Sequence, residues 1–445
     1  MINSVVVGLG KTGASCVRFL AKRGDRVSAT DTRLAPPGLA QLGEMASSVQ
    51  LRLGGFDLSL LEGASQVLMS PGVSLDEPIA RAARARGIDV LGDVELFARE
   101  VQAPVIGVTG TNGKSTVTSL VACMAAAAGR RVLAGGNLGE PALDLLEQPA
   151  PDLYVLELSS FQLETTSSLS LQAAVVLNVT ADHLDRYPSV AAYAHAKERI
   201  FSRASTVVLN ADDPWVAAMR GQSSTNVSRV TFSIERDDTD FSLIRGGGQI
   251  FLAGHGEKLL DVARMKIAGL HNAANALAAL ALGEAVGLPR SAMLQALESF
   301  PGLPHRSAWV ADIGGVRYID DSKGTNVGAT IAAVSGMAGP LVMIAGGEGK
   351  GQDFTPLAKA LHGKVREAVL IGKDAPAIAA ALDGVCRTET VSSMEAAVSQ
   401  AHRIALAGDT VLLSPACASL DMFRDYGHRG DVFAAAVHRL KAATP

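Results

Sequence analysis

Residues 107–116 read Gly-Val-Thr-Gly-Thr-Asn-Gly-Lys-Ser-Thr, and this stretch decides the fold of the middle of the chain. The apolar pair Val105-Ile106 precedes it, and an alanine-rich run over residues 117–128 follows it. A strand, a glycine-rich turn and a helix in this order are typical of a phosphate-binding loop, in which backbone N–H groups and a helix N-terminus face phosphate oxygens. We expect Lys114 to reach the β- and γ-phosphates and the Ser115 hydroxyl to bind Mg²⁺. The residues assigned to the nucleoside triphosphate are Gly110, Thr111, Asn112, Gly113, Lys114, Ser115 and Thr116.

The glycine spacing departs from the strict pattern G-x-x-x-x-G-K-[S/T]. That pattern would place a glycine at Val108, whereas the glycines here are Gly107 and Gly110. A glycine-rich turn without a ligand is therefore the alternative. The intact Gly-Lys-Ser-Thr end and its strand–helix context favour the phosphate loop.

The length and composition of the chain limit its number of domains, its fold class and its partners. A chain of 445 residues suggests about three domains. Hydrophobic residues make up 48% and aromatic residues only 4%, which suits buried parallel strands covered by helices. The 40 basic and 44 acidic residues give a formal charge of -4, and no basic block stands out. We therefore expect neither nucleic acid nor an anionic membrane as a partner.

Cysteine usage and the absence of long apolar runs bear on the compartment. The four cysteines lie far apart at Cys16, Cys123, Cys386 and Cys417, which argues against a disulfide framework or a zinc site. The N-terminus lacks the pattern of a signal peptide, and no run of about 18 apolar residues occurs. We expect a protein of the reducing cytoplasm.

Strand and helix patterns alternate along the chain in three blocks, which predicts an α/β fold with mostly parallel sheets. We place a Rossmann-like domain at 1–94, a central ATP-binding domain of the phosphate-loop type at 95–301, and a second Rossmann-like α/β domain at 302–445. The Pro301-Gly302-Leu303-Pro304 punctuation is a natural linker before the third block.

The N-terminal block carries a dinucleotide-type turn. Gly8-Leu9-Gly10-Lys11-Thr12-Gly13 follows an apolar strand and opens a helix, and Asp31 stands at the end of the next strand. Taken alone, this pattern predicts a nicotinamide-dependent dehydrogenase. A tight turn, a helix dipole and a carboxylate also suit other phosphorylated nucleotides, UDP included. A turn that binds nothing is the remaining alternative.

Three side chains of the central block are candidates for metal or proton chemistry. Glu157 ends an apolar strand, where a carboxylate can hold Mg²⁺, although an exposed or capping glutamate is the alternative. His183 follows the next strand and could bind a metal or take a proton, or serve only the structure. Lys197 lies in a predicted helix, and spacing alone favours a solvated lysine.

Polar residues near the third block complete the candidate set. The amides of Asn272 and Asn275 begin a helix and could contact a purine or cap the helix. Arg306, just past the linker, could clamp a transferring phosphoryl group. The turns at residues 320–326, 346–350 and 414–419 follow strands and suggest a small anionic substrate, although such turns often only reverse the chain.

Together these motifs resemble the Mur ligase family over essentially the whole chain. The segments GTNGKST, ELSSFQLE, NVTADHLDRY, LPHR, DDSKGTN and LSPACASLD occur in the family's order. The last segment, the Gly8–Gly13 turn, Asp31-Thr32-Arg33 and Ser70-Pro71-Gly72 resemble the branch that adds D-glutamate. Other Mur ligases and folylpolyglutamate synthases share the central domain but differ in the flanking domains.

The resemblance implies an ATP-dependent amide ligase that joins D-glutamate to UDP-N-acetylmuramoyl-L-alanine in peptidoglycan precursor synthesis. It implies ATP and two Mg²⁺ ions as cofactors, small molecules as partners, and a monomer. Another Mur-type ligase, a folate polyglutamate ligase and a nicotinamide-dependent oxidoreductase remain as alternatives, as does a nucleotide-binding regulator without turnover.

The resemblance also assigns residues to each ligand. It assigns to the UDP-sugar Lys11, Thr12, Asp31, Thr32, Arg33, Ser70, Gly72 and Asn137. It adds to the ATP site Asn272, Asn275, Arg306 and Asp321. It assigns to Mg²⁺ Ser115, Glu157, His183 and Lys197, the last as a carbamylated lysine whose carboxylate binds metal. It assigns to D-glutamate Lys323, Thr325, Lys350, Ser419 and Tyr426. It assigns to catalysis Lys114, His183, Lys197 and Arg306. Tyr426 stands where phenylalanine is frequent, and Gly324 stands where alanine is common.

Overall fold

The structure is a computed structural model that describes residues 2–220, 227–267, 269–337 and 339–443. Packing divides the chain into two compact units. The first comprises Met1–Val179, Ala191–Leu260 and Asn275–Glu298, and the second comprises Thr180–Val190, Asp261–Ala274 and Ser299–Pro445. Among the helices that the structure describes, none has the length and apolar character needed to cross a bilayer.

The N-terminal sheet of the first unit has five parallel strands in the order β3-β2-β1-β4-β5. Val5, Val6 and Val7 of the first strand are completely buried, as expected for a strand covered on both faces. The strands are β1 (Asn3–Val7), β2 (Arg26–Asp31), β3 (Gln50–Leu53), β4 (Gln66–Met69) and β5 (Asp89–Leu91). The helices are α1 (Lys11–Lys22), α2 (Leu39–Leu42), α3 (Pro78–Ala85) and α4 (Asp93–Glu100), with 3₁₀ turns at Gly43–Ser48 and Leu58–Leu61.

The central sheet is larger, with the strand order β14-β13-β12-β11-β10-β9-β6-β8-β7. The strands are β6 (Val105–Thr109), β7 (Val132–Gly136), β8 (Leu153–Glu157), β9 (Leu171–Val176), β10 (Ala204–Asn210), β11 (Ser228–Phe232), β12 (Phe241–Gly246), β13 (Gln249–Gly254) and β14 (Glu257–Asp261). The pairs from β7 through β12 are parallel, whereas β12 and β13 form an antiparallel hairpin. Gly247 and Gly248 form its turn with positive φ at both positions, a conformation that glycine adopts without strain.

Helices connect the strands of this stretch of the chain. They are α5 (Lys114–Ala127), α6 (Ala142–Leu145), α7 (Ser160–Glu164), α8 (Val190–Glu198), α9 (Pro214–Ala217), α10 (Leu270–Ala285) and α11 (Arg290–Ser299), with 3₁₀ turns at Arg199–Phe201 and Val262–Arg264. A capping box at Ser159 and Gln162 starts α7, since each side chain satisfies a backbone N–H group of the first turn.

The sheet of the second unit has the order β15-β16-β20-β17-β18-β19, parallel except for the edge strand β15. The strands are β15 (Ala308–Ile313), β16 (Val316–Asp320), β17 (Leu341–Gly346), β18 (Val365–Ile371), β19 (Arg387–Thr390) and β20 (Thr410–Leu413). The helices are α12 (Val327–Gly336), α13 (Thr355–Leu361), α14 (Ala375–Ala381), α15 (Met394–Ile404) and α16 (Tyr426–Ala443). Alternate residues of β17 pack on opposite faces: Met343 lies in one apolar core, and Val342 and Ile344 lie in the other.

The predicted α/β fold with mostly parallel sheets is confirmed. The alternation of apolar strands and helices carries this information because strands buried on both faces are apolar at nearly every position. The antiparallel hairpin of β12 and β13 and the antiparallel edge strand β15 depart from parallel pairing, and the alternation of strands and helices does not predict them. The domain boundaries at residues 94 and 301 remain predictions.

Candidate active site

The phosphate loop lies between β6 and α5, as the sequence predicts. Gly113 caps the helix in a left-handed conformation, with φ of +86°, and a Cβ atom there would lie 2.4 Å from Oδ1 of Asn275. A glycine is therefore required by both backbone conformation and space. The contact also brings Asn275, one of the two amides assigned to ATP, against the loop.

Asn178, two residues after the end of β9, holds the loop from the side of the neighbouring strand. Its carbonyl oxygen accepts a hydrogen bond from the N–H group of Thr111 at 2.9 Å, and its Oδ1 accepts one from Asn112 at 2.8 Å. Its Nδ2 donates to the carbonyl of Asn112 at 3.1 Å. Asn178 is not among the residues predicted for the site, although its place at the head of the motif NVTADHLDRY, after an apolar strand, was an available signal.

Two lysines converge on the carbonyl of Gly110. Lys114 Nζ donates to that oxygen at 2.9 Å and to the carbonyl of Thr111 at 2.8 Å, and Lys197 Nζ donates to Gly110 at 2.9 Å. Lys197 is only 1% exposed and its ammonium group lies 4.3 Å from the ring centre of Tyr193. The interpretation of Lys197 as a solvated helix lysine is therefore wrong, because α8 turns this side chain into the loop.

Glu157 has the features of a metal-binding carboxylate. It ends β8 next to the phosphate-loop strand and is 3% exposed. Its Oε1 accepts a hydrogen bond from Asn137 Nδ2 at 2.6 Å, whereas its Oε2 is buried and has no hydrogen-bond partner among the described residues. A buried carboxylate oxygen without a donor is costly, and a divalent cation would satisfy it.

The other residues assigned to Mg²⁺ come from different parts of the chain. Ser115 lies in the first turn of α5, where a hydroxyl is a suitable ligand for Mg²⁺. Within the described ranges, no group of three or more His, Cys, Asp and Glu side chains is gathered as a metal site. His183 belongs to the second unit, so its assignment to the same ion stays a prediction.

The Gly8–Gly13 turn follows β1, at the point between β1 and β4 where the order of strands in the first sheet reverses. Asp31 is 2% exposed, and its carboxylate accepts hydrogen bonds from the N–H group of Leu9 at 2.7 Å and from the guanidinium of Arg33. Burial raises the pKa of Asp31, but the hydrogen bonds from Arg33 and Leu9 outweigh it and lower the pKa to about 2. Ser70 donates to the carbonyl of Gly8 at 2.7 Å.

The residues assigned to the UDP-sugar therefore follow three neighbouring strands whose carboxyl ends share one edge of the sheet. They are Lys11 and Thr12 after β1, Asp31, Thr32 and Arg33 at the end of β2, and Ser70 and Gly72 after β4. Asn137 lies apart from these strands, in the turn after β7. Lys11 reaches that turn, where its Nζ donates to the carbonyl of Gly139 at 2.7 Å.

In the second unit, the residues assigned to D-glutamate share the carboxyl edge of adjacent strands. Lys323 and Thr325 follow β16, Lys350 follows β17, Ser419 follows β20, and Tyr426 begins α16. The ammonium group of Lys323 lies 3.7 Å from the ring centre of Tyr426. Several polar turns on one edge are thus brought together as the sequence predicts.

Asp321 is buried beside this edge. Its Oδ2 accepts a hydrogen bond from Ser414 at 2.8 Å, and its Oδ1 accepts one from the N–H group of Ser307 at 3.0 Å. Burial raises the pKa of Asp321 to about 7, although these hydrogen bonds and the charge of Arg306 act in the opposite direction. Arg306 and Asp321 are therefore electrostatic neighbours within this unit.

Asp182, the residue before His183, contacts the amino-acid edge. The Lys350 ammonium lies 3.6 Å from its carboxylate, and Asn326 Nδ2 donates to it at 3.3 Å. His183 follows in a left-handed conformation with φ of +55°, which is uncommon for a residue other than glycine. Asp182 lies within the motif NVTADHLDRY but is not among the predicted site residues.

Arg429 is completely buried and is the main residue that sequence reasoning missed. It donates hydrogen bonds to the carbonyl and hydroxyl oxygens of Ser322 at 2.8 and 3.0 Å, and to the carbonyls of Cys417 at 3.1 Å, Ala418 at 3.3 Å and Gly346 at 3.5 Å. Burial lowers its pKa to about 10. One guanidinium thus ties together the three turns predicted to form the amino-acid site.

The chain matches models of known protein families over most of its length. Family models match three segments: a Mur ligase MurD-like N-terminal domain at residues 2–92, a Mur ligase middle domain at 108–283, and a Mur ligase glutamate ligase domain at 305–417.

Curated relatives are similar over almost the whole chain. A UDP-N-acetylmuramoylalanine--D-glutamate ligase from Nitrosococcus oceani is 55% identical, and the match covers 98% of this chain and 96% of the relative. A ligase of the same name from Methylobacillus flagellatus is 52% identical over 98% of this chain and 97% of the relative.

A solved structure shares the fold. The UDP-N-acetylmuramate-alanine ligase from Thermotoga maritima superposes with a TM-score of 0.62 at 20% identity, covering 100% of both chains. A folylpolyglutamate synthase from Mycobacterium tuberculosis, complexed with ADP and AMPPCP, gives 0.59 at 19% identity over 76% of this chain and 92% of its own. At these identities the likeness concerns the fold alone.

Proposed function

The chain belongs to the Mur ligase family, and from this premise we propose that it uses ATP to join D-glutamate to UDP-N-acetylmuramoyl-L-alanine. The observation that carries the proposal is full-length similarity, at 55% and 52% identity, to two enzymes named for this ligation. The phosphate loop with Lys114 and the buried Glu157 supports ATP as the energy source.

The chemistry requires that a carboxylate become electrophilic. We propose that the L-alanine carboxylate attacks the γ-phosphorus of ATP, which releases ADP and forms an acyl phosphate. The neutral amine of D-glutamate then attacks the acyl carbon to give a tetrahedral intermediate. Collapse of this intermediate expels phosphate, the nitrogen loses its proton, and an amide remains.

Cationic groups suit a transfer between anions. Lys114 is placed by its backbone contacts at the loop, and Arg306 is assigned to the transferring phosphoryl group. Removal of one such electrostatic group typically costs a factor of about 10²–10³ in rate. The chain also offers Ser115, Glu157, His183 and, after carbamylation, Lys197 for two Mg²⁺ ions, which when bound would neutralise phosphate charge.

The amino-acid edge of the second unit suits a dicarboxylate. Lys323 and Lys350 supply positive charge, and Ser419 supplies a hydroxyl group on the same edge of the sheet. The edge is preorganised, because Arg429 fixes its turns through hydrogen bonds. We assign Lys323, Thr325, Lys350, Ser419 and Tyr426 to D-glutamate, and Asn272, Asn275, Arg306 and Asp321 to ATP.

The experiment that tests the proposal is an ADP-release assay with UDP-N-acetylmuramoyl-L-alanine, Mg²⁺ and each enantiomer of glutamate. We expect ADP release that depends on both building blocks and on the D-enantiomer. ADP release with a folate substrate in place of the UDP-sugar would favour the folate ligase alternative. NADH binding without UDP-sugar binding would favour the oxidoreductase.

We further propose that the enzyme acts as a monomer in the cytoplasm. Four cysteines without a disulfide among the described residues suit a reducing compartment, which is also where ATP is available. Fractionation of the native host, with activity in the cytosolic fraction, would support this location.

A further inference from the structure

The last two residues of β7 and the turn that follows them, residues 135–140, are docked on the end of β8. The N–H group of Asn137 donates to the carbonyl of Glu157 at 2.8 Å, and the N–H group of Gly136 donates to the carbonyl of Glu140 at 2.7 Å. Gly136 has φ of +96°, and a Cβ atom there would lie 2.5 Å from the carbonyl oxygen of Glu157. The turn is therefore held against the residue that ends the strand.

The Asn137 side chain continues this contact to the carboxylate. Its Nδ2 donates to Oε1 of Glu157 at 2.6 Å, although Asn137 itself is exposed. The two oxygens of the Glu157 carboxylate are thereby made different. Oε1 is occupied, whereas Oε2 is buried without a hydrogen-bond partner in the described part of the chain.

We propose that Asn137 is a positioning residue that fixes the rotation of the Glu157 carboxylate and leaves Oε2 to bind the cation of the nucleotide. This inference rests on the proposed function, in which Glu157 binds Mg²⁺. It gives Asn137 a task beyond the UDP-sugar contact that the sequence resemblance assigns to it. Groups that hydrogen-bond metal-ligating carboxylates orient the ligand, and their loss typically costs about 10- to 100-fold in metal affinity.

The test compares metal binding in Asn137→Ala with that of a matched control. The control is Gln148→Ala, since Gln148 Nε2 also donates to a carboxylate at 2.6 Å, that of the exposed Glu140, and does not contact Glu157. Mn²⁺ serves as the probe and is titrated by calorimetry into resting enzyme with ADP and without UDP-sugar. We expect about 10- to 100-fold weaker Mn²⁺ binding for Asn137→Ala and unchanged binding for Gln148→Ala.

A double-mutant cycle separates orientation from a general loss of structure. If Asn137 acts through Glu157, its replacement by alanine has no further effect on Mn²⁺ affinity in the Glu157→Gln background. Should Asn137→Ala fail to fold, Asn137→Ser, whose shorter side chain also loses the contact, gives the same comparison.

Wild-type Mn²⁺ affinity in Asn137→Ala, or an equal loss in Gln148→Ala, would overturn the inference. So would a further loss of affinity when Asn137→Ala is added to Glu157→Gln. These results are independent of turnover, because no phosphoryl acceptor is present. The proposed function fails on a different result, namely absence of ADP release by the wild-type enzyme when both building blocks are supplied.

Discussion

Two buried cations show what a single residue contributes to this site. Lys197 and Arg429 are 1% and 0% exposed, and both donate to backbone carbonyls of site loops. Sequence spacing suggests a solvated helix lysine for the first and gives no role to the second. Helical periodicity reports which face of a helix is apolar, but it does not report a carbonyl that another segment brings to that face.

Arg429→Lys tests the role of the buried guanidinium. A lysine ammonium is a compact charge that cannot reproduce the planar set of donors that reaches three turns. We expect the KM for D-glutamate to rise by about tenfold, with a smaller change in the KM for ATP, in steady-state assays. The matched control is Arg439→Lys on the same helix, which changes only an exposed ion pair with Glu395. An unchanged KM for D-glutamate in Arg429→Lys would contradict the assigned role.

Asp93→Asn tests a buried carboxyl at the start of α4. One of its oxygens accepts a hydrogen bond from Gln162 at 3.1 Å, the other has no partner among the described residues, and burial raises its pKa from 3.8 to about 6. Folding favours the protonated form of the Asp93 carboxyl. This group therefore contributes its full stabilisation of the folded state below pH 3.8, and the stabilisation is lost as the pH rises through about 6. Asparagine does not titrate. We therefore expect the thermal unfolding midpoint of the variant to rise relative to wild type between pH 4 and pH 7.

A flat difference for Asp93→Asn would show that its carboxyl does not titrate as the structure indicates.

At the scale of elements, the order of strands brings the site together. The phosphate loop follows β6, Glu157 ends β8 and Asn178 follows β9, and these three strands are neighbours in the central sheet. Alternation of strands and helices predicts parallel sheets, and glycine-rich turns predict where ligands bind. That alternation does not reveal the order of the strands in the sheet. The order depends on the side of the sheet to which each connecting helix packs. For this reason Asn178 is not predicted from the sequence as a support of the loop.

Gly136→Ala tests the turn that docks on β8. An alanine at this position would be strained, because φ is +96°. Its Cβ atom would also lie 2.5 Å from the carbonyl oxygen of Glu157, so the backbone of Glu157 would have to move. Gly139→Ala is the matched control, since its φ is +66° and nothing lies within 4 Å of its Cβ position. We expect Gly136→Ala to lose most ADP-release activity and Gly139→Ala to lose little, at a cost of about 1–2 kcal/mol in stability. Equal losses would show that backbone strain alone is responsible.

At the scale of the whole molecule, three sheets are distributed over two compact units. The sequence resolves the three α/β blocks because each block repeats the strand–turn–helix pattern with its own ligand motif. Packing unites the first two blocks through contacts between α1 and α6, where Ser15 and Arg18 both bind Asp144. Such contacts join segments that are more than 100 residues apart, so no local pattern predicts them.

The proposed monomer is tested by sedimentation equilibrium. The chain mass is 45.9 kDa, and we expect this value to hold across protein concentrations with and without substrates. A mass near twice this value at assay concentrations would contradict it.

The central claim is that ATP activates the L-alanine carboxylate as an acyl phosphate. The measurement that tests it most directly follows ¹⁸O from the carboxylate of UDP-N-acetylmuramoyl-L-alanine during turnover with D-glutamate. Because the carboxylate oxygen that attacks phosphorus leaves with it, we predict one ¹⁸O atom in each phosphate released. Product formation with unlabelled phosphate would contradict the account.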